Sequence, residues 1–414
     1  MSGRAARGGH FPDNFTEGPF MFIHLEKLPD DPILQLSQLF RADPRTPKLD
    51  LGVGIFQNER GETPIMRAVK AAEDELLRTE NSKKYIGLLG NAVFNQAMIE
   101  LVLGDSVSAD RVRAIQATAG TGAVRLIASV LASLLPEHHL YVSDPTWGNH
   151  QAIFQAAGFQ PKTYPYYDRQ HSVVDRERFF AALEQFGPRD IVLLHGCCHN
   201  PSGADLSPAD WQRVAEIASR RGWLPVVDLA YQGLGEDLQA DALGVRTLAA
   251  AVPNLFVAVS GSKNFGLYRE RVGVVLMLGQ NATEAEALQS HFGVISRAMV
   301  SMPPDHGAAI VGHVLTTPAL RADWETELNE MSAYIRRRRQ ELVAALERRV
   351  GGDWHFITDV HRGMFSLLPL GKERVKRLRE DFAIYIVGEG RINIAGLKSA
   401  EDCAYLADAL AKVL

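Results

Sequence analysis

Cysteine is scarce in this 414-residue chain: only Cys197, Cys198 and Cys403 are present. An odd count without ligand spacing argues against a disulfide framework and against a zinc site, so no metal is expected. The usage fits a reducing cytoplasm. The chain lacks any apolar run of about 18 residues, which leaves no membrane span to expect. The first 20 residues carry Arg4 and Arg7 but no apolar stretch, so they do not read as a secretory signal. Their Gly, Pro and polar content reads instead as a mobile arm over residues 1–19. Charge of one sign is also short. A net charge of −5 points to neither a nucleic-acid nor a membrane-surface partner, and an anionic ligand would need local Arg clusters. Internal repeats and low-complexity linkers are absent.

What is present is an ordinary globular composition, 46% hydrophobic and 22% charged. The chain is long enough for two domains. From Val112 onward short apolar runs alternate with amphipathic stretches. The runs Arg113 to Ala117, Leu140 to Val142, Ile191 to His195, Leu224 to Asp228, Leu255 to Ser260 and Val272 to Met277 predict strands. Helices are predicted between them over Ala123 to Leu135, Arg176 to Glu184 and Pro208 to Arg220. Such alternation predicts an α/β domain whose mostly parallel central sheet is covered by helices on both faces. Earlier, Asp31 to Phe40, Ile65 to Leu77 and Ala92 to Val102 read as helices, and Leu49 to Phe56 as a short strand or extended segment. Pro318 to Arg349 is a long helical pattern in which Arg336 to Arg339 read as a solvated face. Strands near Trp354 to Ile357, Gly363 to Leu367 and Ala383 to Val387, then a helix over Ala400 to Val413, complete a smaller α+β unit.

Ligands bind such sheets beyond the carboxyl ends of the strands, and the chemically suggestive strings lie there. Val259-Ser260-Gly261-Ser262-Lys263-Asn264-Phe265-Gly266-Leu267-Tyr268-Arg269-Glu270-Arg271 follows a buried strand. A lysine there, among small hydroxyls and near cations, suits an amine that condenses with an aldehyde beside a phosphate; Ser-x-Lys alone fits an ordinary surface loop as well. Ala119-Gly120-Thr121-Gly122-Ala123 is either a phosphate cradle at a helix start or a capped turn. Trp147, in Asp144-Pro145-Thr146-Trp147-Gly148-Asn149-His150, can pack in a core or stack on a flat ring. Asn200, in His195-Gly196-Cys197-Cys198-His199-Asn200-Pro201-Ser202-Gly203, sits in a turn signal. Asp228 ends a strand three residues before Tyr231, either as a turn cap or as a carboxylate that keeps a ring nitrogen protonated. Arg391, among alternating apolar residues, requires an anionic partner, whether ligand or salt bridge.

Taken together these strings, in this order, resemble the fold-type I aminotransferases that depend on pyridoxal 5′-phosphate, in particular the aspartate/aromatic group of class I. The resemblance spans about residue 20 to the C-terminus. Arg297-Ala298-Met299-Val300-Ser301-Met302, Lys83-Lys84-Tyr85-Ile86-Gly87, Gly52-Val53-Gly54-Ile55-Phe56 and Arg362-Gly363-Met364-Phe365 join it. It departs from the family at Ala119, where a Ser is usual, at Ser202, where Thr is usual, and at Met299 and Met302, where polar residues are usual.

The resemblance implies a large cofactor-binding domain over residues 63–317 and a small α+β domain from residues 20–62 and 318–414. It implies that Lys263 links covalently to the cofactor and acts as base and acid, that Asp228 meets the ring nitrogen, and that Asn200 and Tyr231 meet the ring's phenolic oxygen. Trp147 would stack on the ring, with His150 behind it or in a purely structural place. Gly120, Thr121, Ser260, Ser262 and Arg271 would hold phosphate, joined by Tyr85 from a second subunit of a homodimer. Substrate would meet Gly54, Trp147, Asn200 and Arg391, with Arg391 on the α-carboxylate and the neighbouring subunit's copy of Arg297 on a distal carboxylate. The implied activity moves an amino group from an aromatic or dicarboxylic L-amino acid to a 2-oxo acid such as 2-oxoglutarate, in ping-pong fashion. A lyase or decarboxylase on the same fold, and a non-catalytic cofactor-binding module, are the alternatives.

Overall fold

The computed structural model describes residues 25–28 and 32–414, so the arm expected over residues 1–19 lies outside the described residues. A seven-stranded sheet forms the centre. Its strands are β1 (Val112–Thr118), β2 (His139–Asp144), β3 (Lys162–Pro165), β4 (Asp190–His195), β5 (Leu224–Leu229), β6 (Leu255–Ser260) and β7 (Val272–Leu278). Their spatial order is β1-β7-β6-β5-β4-β2-β3. The pairs from β6 to β3 are parallel, and β7 runs antiparallel to both neighbours. Every residue of β6 and β7 is buried, because helices cover both faces. Alternate side chains sort into two cores. Val257 and Val259 join the larger one, whereas Phe256 and Ala258 pack with Ile127, Leu193 and Val275.

Because β7 is antiparallel, its first residue stands level with the last residue of β1, in the register Val272↔Thr118. The loop before β7 therefore meets the loops that leave β1, β2, β4, β5 and β6 at one edge of the sheet. The strand expected over Leu49 to Phe56 shortens to Leu49–Asp50, which pairs in parallel with Ile384–Tyr385. Beyond it Gly54 admits the Phe365 ring, which an added Cβ would meet at 2.9 Å. Phe365–Leu367 pairs antiparallel with Arg391–Asn393. No strand forms near Trp354 to Ile357. Asp353 caps the His355 N–H at 2.9 Å, and a short helix, Phe356–Asp359, follows.

The long helix Pro318–Arg349 corrects another expectation. Arg336 and Arg337 are exposed, but Arg338 and Arg339 are buried, since helical spacing sets them beside Ile335 and Leu342. The Arg339 guanidinium donates to the carbonyls of Ile357, Arg362, Gly363 and Phe365 and to Ser366 Oγ, at 2.7–3.2 Å. Arg339→Met leaves those buried acceptors unmet, and each costs about 1–3 kcal/mol. The expected result is a loss of at least about 3 kcal/mol, read as a lower urea midpoint. Arg339→Lys recovers part of it, having three donors in place of five. An unchanged midpoint in the Met variant would show that the cage is not stabilising.

Candidate active site

A cavity of about 300 Å³ opens at the edge where those loops converge. Most residues anticipated for one site line it: Gly54, Gly120, Thr121, Trp147, Asn200, Asp228, Tyr231, Ser260, Ser262, Lys263, Arg271 and Arg391. Tyr85 and Arg297 do not. Tyr85 is 87% exposed and Arg297 is exposed, so neither reaches the cavity of its own chain.

The walls differ in chemistry. At one end Gly120 and Thr121 lie in the first turn of the helix Ala119–Leu134, beside Ser260, Ser262 and Arg271. Unpaired N–H groups, hydroxyls and a guanidinium make this an anion cradle. Gly120 is needed there, since an added Cβ would stand 2.9 Å from the Ser260 Cβ. Ala119, in the usual serine place, brings no hydroxyl, but its N–H donates to the Arg271 carbonyl at 2.8 Å. Both residues are left-handed, with φ of 60° and 55°. Such strain collects at functional loops.

At the other end stands Asp228, a buried carboxylate at the close of β5. Burial pushes its pKa up. The hydrogen bond from His150 Nε2 to Asp228 Oδ2, 2.9 Å, and the surrounding positive charge outweigh that, and the carboxyl ends below its ordinary value. His150 is fully buried and shares Thr146 Oγ1 with His195, at 2.8 and 3.1 Å. Burial lowers the His195 pKa to about 3, so that ring is neutral. Trp147 meets His150 edge-on, with ring centres 5.1 Å apart.

Between the two ends lies Lys263, with Nζ 5.1 Å from the centre of the Tyr231 ring. The side chain keeps one face open to the cavity while its amine is enclosed. Burial lowers the amine's pKa; Asp228 opposes the shift and Arg271 adds to it. A lysine so placed gives up its proton readily. On the side opposite the sheet, Arg391 is 7% exposed and lies over the Phe365 ring at 4.4 Å. It donates to the Gly52 carbonyl at 2.5 Å and to Asn200 Oδ1 at 3.3 Å, and among the described residues its buried Nε has no partner. A buried guanidinium that no carboxylate among the described residues pairs with is prepared for an anionic ligand.

Sequence reasoning assigned no role to four further lining residues, His195, Cys197, Ala230 and Tyr268. Tyr268 Oη accepts the Phe56 N–H at 2.9 Å and ties the segment after Leu49–Asp50 to the lysine loop. Its place in the lysine string was the available signal. His195 gave none beyond ending its strand.

Comparison with known proteins agrees with this geometry. The family model for aminotransferases of class I and II matches residues 46–410. The aromatic-amino-acid aminotransferase of Paracoccus denitrificans is 46% identical over 91% of this chain and 96% of its own. The aspartate aminotransferase of Salmonella typhi is 43% identical over 95% and 100%. The crystal structure of an aromatic-amino-acid aminotransferase from Burkholderia pseudomallei, covalently bound to pyridoxal phosphate, superposes with a TM-score of 0.92 at 43% identity, over 95% of this chain and 100% of that one. With the matched model spanning nearly the whole length, and the cavity residues at the strand ends where its strings predict them, this chain belongs to the class I and II aminotransferases.

Proposed function

We propose that this chain transfers the amino group of an aromatic or dicarboxylic L-amino acid to a 2-oxo acid such as 2-oxoglutarate, with pyridoxal 5′-phosphate as cofactor, in the cytoplasm. The observation that carries the reading is the order of charges along one cavity: anion cradle, enclosed lysine amine, buried carboxylate. That order fits a molecule with a phosphate at one end, a basic ring nitrogen at the other and an aldehyde between. Lys263, Asp228, Asn200, Tyr231, Trp147 and the cradle of Gly120, Thr121, Ser260, Ser262 and Arg271 would hold it. When bound, the cofactor supplies a carbonyl that condenses with amines and a ring that accepts the electron pair left by a departing proton.

The chain's own residues do the rest. Arg391 binds the substrate α-carboxylate and fixes which bond faces the lysine. Lys263 Nζ takes the proton from the α-carbon as base and returns it as acid. Asp228 holds a proton on the ring nitrogen, and His150 keeps that carboxylate ionised and in place. Gly54, Trp147 and Phe365 narrow the mouth against water. The exposure of Tyr85 and Arg297 fits a homodimer in which each completes the partner's cavity. The division into units of residues 63–317 and of 20–62 with 318–414 is supported by the pairing of Leu49–Asp50 with Ile384–Tyr385.

The deciding experiment mixes the cofactor-loaded protein with an amino acid alone. Stoichiometric conversion of the bound cofactor to its amine form, with release of a 2-oxo acid, is expected. Product without stored amine would mean a lyase or decarboxylase, and no change a binding module. Arg297→Leu tests the substrate range. It removes one charge-assisted pair worth about 1.5–3 kcal/mol, so kcat/KM for aspartate should fall roughly 10–150-fold while phenylalanine changes only a few-fold. Equal losses would place Arg297 away from substrate.

A further inference from the structure

The cavity wall holds a second set of ligating atoms that amino transfer does not use. Cys197 lines the cavity. Its Sγ, the Sγ of Cys198 and a carboxylate oxygen of Asp241 all lie within 4.8 Å of one another, and all three side chains are buried. Both thiols are free. Asp241 is brought to the thiols by the turn after β5, whose backbone N–H groups at Gly233, Gly235 and Glu236 hold its carboxylate at 2.8–3.0 Å. Those bonds occupy three of about four lone-pair positions and leave room for one more partner.

Gly235 keeps a slot open between two of these atoms. A Cβ added there would stand 2.6 Å from Asp241 Oδ1 and 3.0 Å from Cys198 Sγ. Gly235 and Gly363 also line an outer cavity of about 600 Å³, and a Cβ added at Gly363 would collide with Cys198 Sγ. Metal–ligand distances of about 2.3 Å to sulfur and about 2.0 Å to oxygen set tetrahedral donors roughly 3.5–3.8 Å apart. Donors already within 4.8 Å close on an ion through small side-chain rotations. The surroundings suit the resulting charge. Two thiolates, a carboxylate and a divalent ion sum to one negative charge, and the buried Arg339 guanidinium, bonded to carbonyls and one hydroxyl, offsets it.

We propose that Cys197, Cys198 and Asp241 form a binding site for a thiophilic divalent cation, and that its occupancy is coupled to the active site. Binding breaks two S–H bonds and forms two metal–sulfur bonds, and both protons pass to solvent. The coupling runs through a short segment. The N–H groups of Cys198 and His199 are held by Asp205 at 2.6 and 2.8 Å, and the next residue, Asn200, lines the cavity.

Cadmium chloride titrated into the cofactor-loaded enzyme is the test. A thiolate-to-cadmium ultraviolet band should saturate at a single ion per chain. This readout needs no turnover, so its failure is distinct from failure of the amino-transfer reading. Cys197→Ser and Cys198→Ser should each weaken binding about a hundredfold or more, and Asp241→Asn about tenfold. Cys403→Ser should leave the band unchanged, because Cys403 stands apart, against the Arg338 carbonyl. Circular dichroism checks folding; if Asp241→Asn unfolds, the cysteine variants decide. No band, or equal affinity in Cys198→Ser, overturns the site. Loading should also lower turnover about tenfold, reversibly with EDTA. Full activity of the loaded enzyme overturns the coupling.

Discussion

Replacing Lys263 with Ala should lower amino transfer by at least about four orders of magnitude, since positioned acid–base catalysis alone contributes about 10²–10⁴ and the covalent attachment is lost with it. The loss should fall on kcat. Arg391, Arg297 and the anion cradle remain, so substrate and cofactor still bind and KM changes little. The variant should retain cofactor through Gly120, Thr121, Ser260, Ser262 and Arg271, now released by dialysis and without the absorbance of the lysine adduct. A small primary amine added to the medium should restore part of the rate, because the cavity left by the side chain is open to it. The lowered amine pKa sets the pH response of the cofactor-free protein. Cofactor capture requires the neutral amine, so the capture rate should rise with pH and level off below the range of an ordinary lysine. Turnover within tenfold of the parent would remove Lys263 from the reaction.

Much of this arrangement is legible in the sequence. The central strands Leu255–Ser260 and Val272–Leu278 are buried throughout and read as unbroken apolar runs, and Leu255–Ser260 matches its expected limits, as do Pro318–Arg349 and Ala400–Val413; the edge strand Lys162–Pro165, half exposed, was not anticipated. The helices Ala282–Val300 and Lys372–Phe382 were not anticipated. The first fully buries only Ala285, Phe292, Gly293 and Ser296, and the second only Leu378, with Leu288, Ile295, Val375 and Phe382 half-buried beside them, so their apolar stripes are narrow and lie among many charged residues. The strings at the strand ends located the site because the chain must turn there, whatever the rest of the fold does. Contacts between distant strings were invisible. His150 is 78 positions from Asp228, and Arg391 is 339 from the Gly52 carbonyl it bonds. Arg339 misled for a related reason. Four consecutive arginines look like a solvated face until the helical spacing turns two of them inward, Arg338 onto the Glu341 and Glu59 carboxylates and Arg339 onto carbonyls.

The second large effect is expected at Asp228, where Asn should lower kcat by about 10³-fold with cofactor still bound. An amide of nearly the same shape keeps the packing but cannot balance a proton on the ring nitrogen, so the electron pair left by the α-proton loses its sink. His150 separates this electrostatic role from a steric one. Its hydrogen bond, with the nearby positive charge, opposes the rise that burial imposes on the Asp228 carboxyl. Without it, in His150→Phe, burial acts with less opposition and the pKa of Asp228 moves up. The carboxylate is then lost at a higher pH as the solution is acidified, so the acid limb of the pH–rate profile should shift towards neutrality. At alkaline pH, where Asp228 is ionised in both proteins, the variant should recover most of the parent rate. A uniform loss at every pH would mean that His150 serves packing alone. Asp228→Asn, by contrast, has no pH at which its charge returns, and its deficit should stay flat across the range.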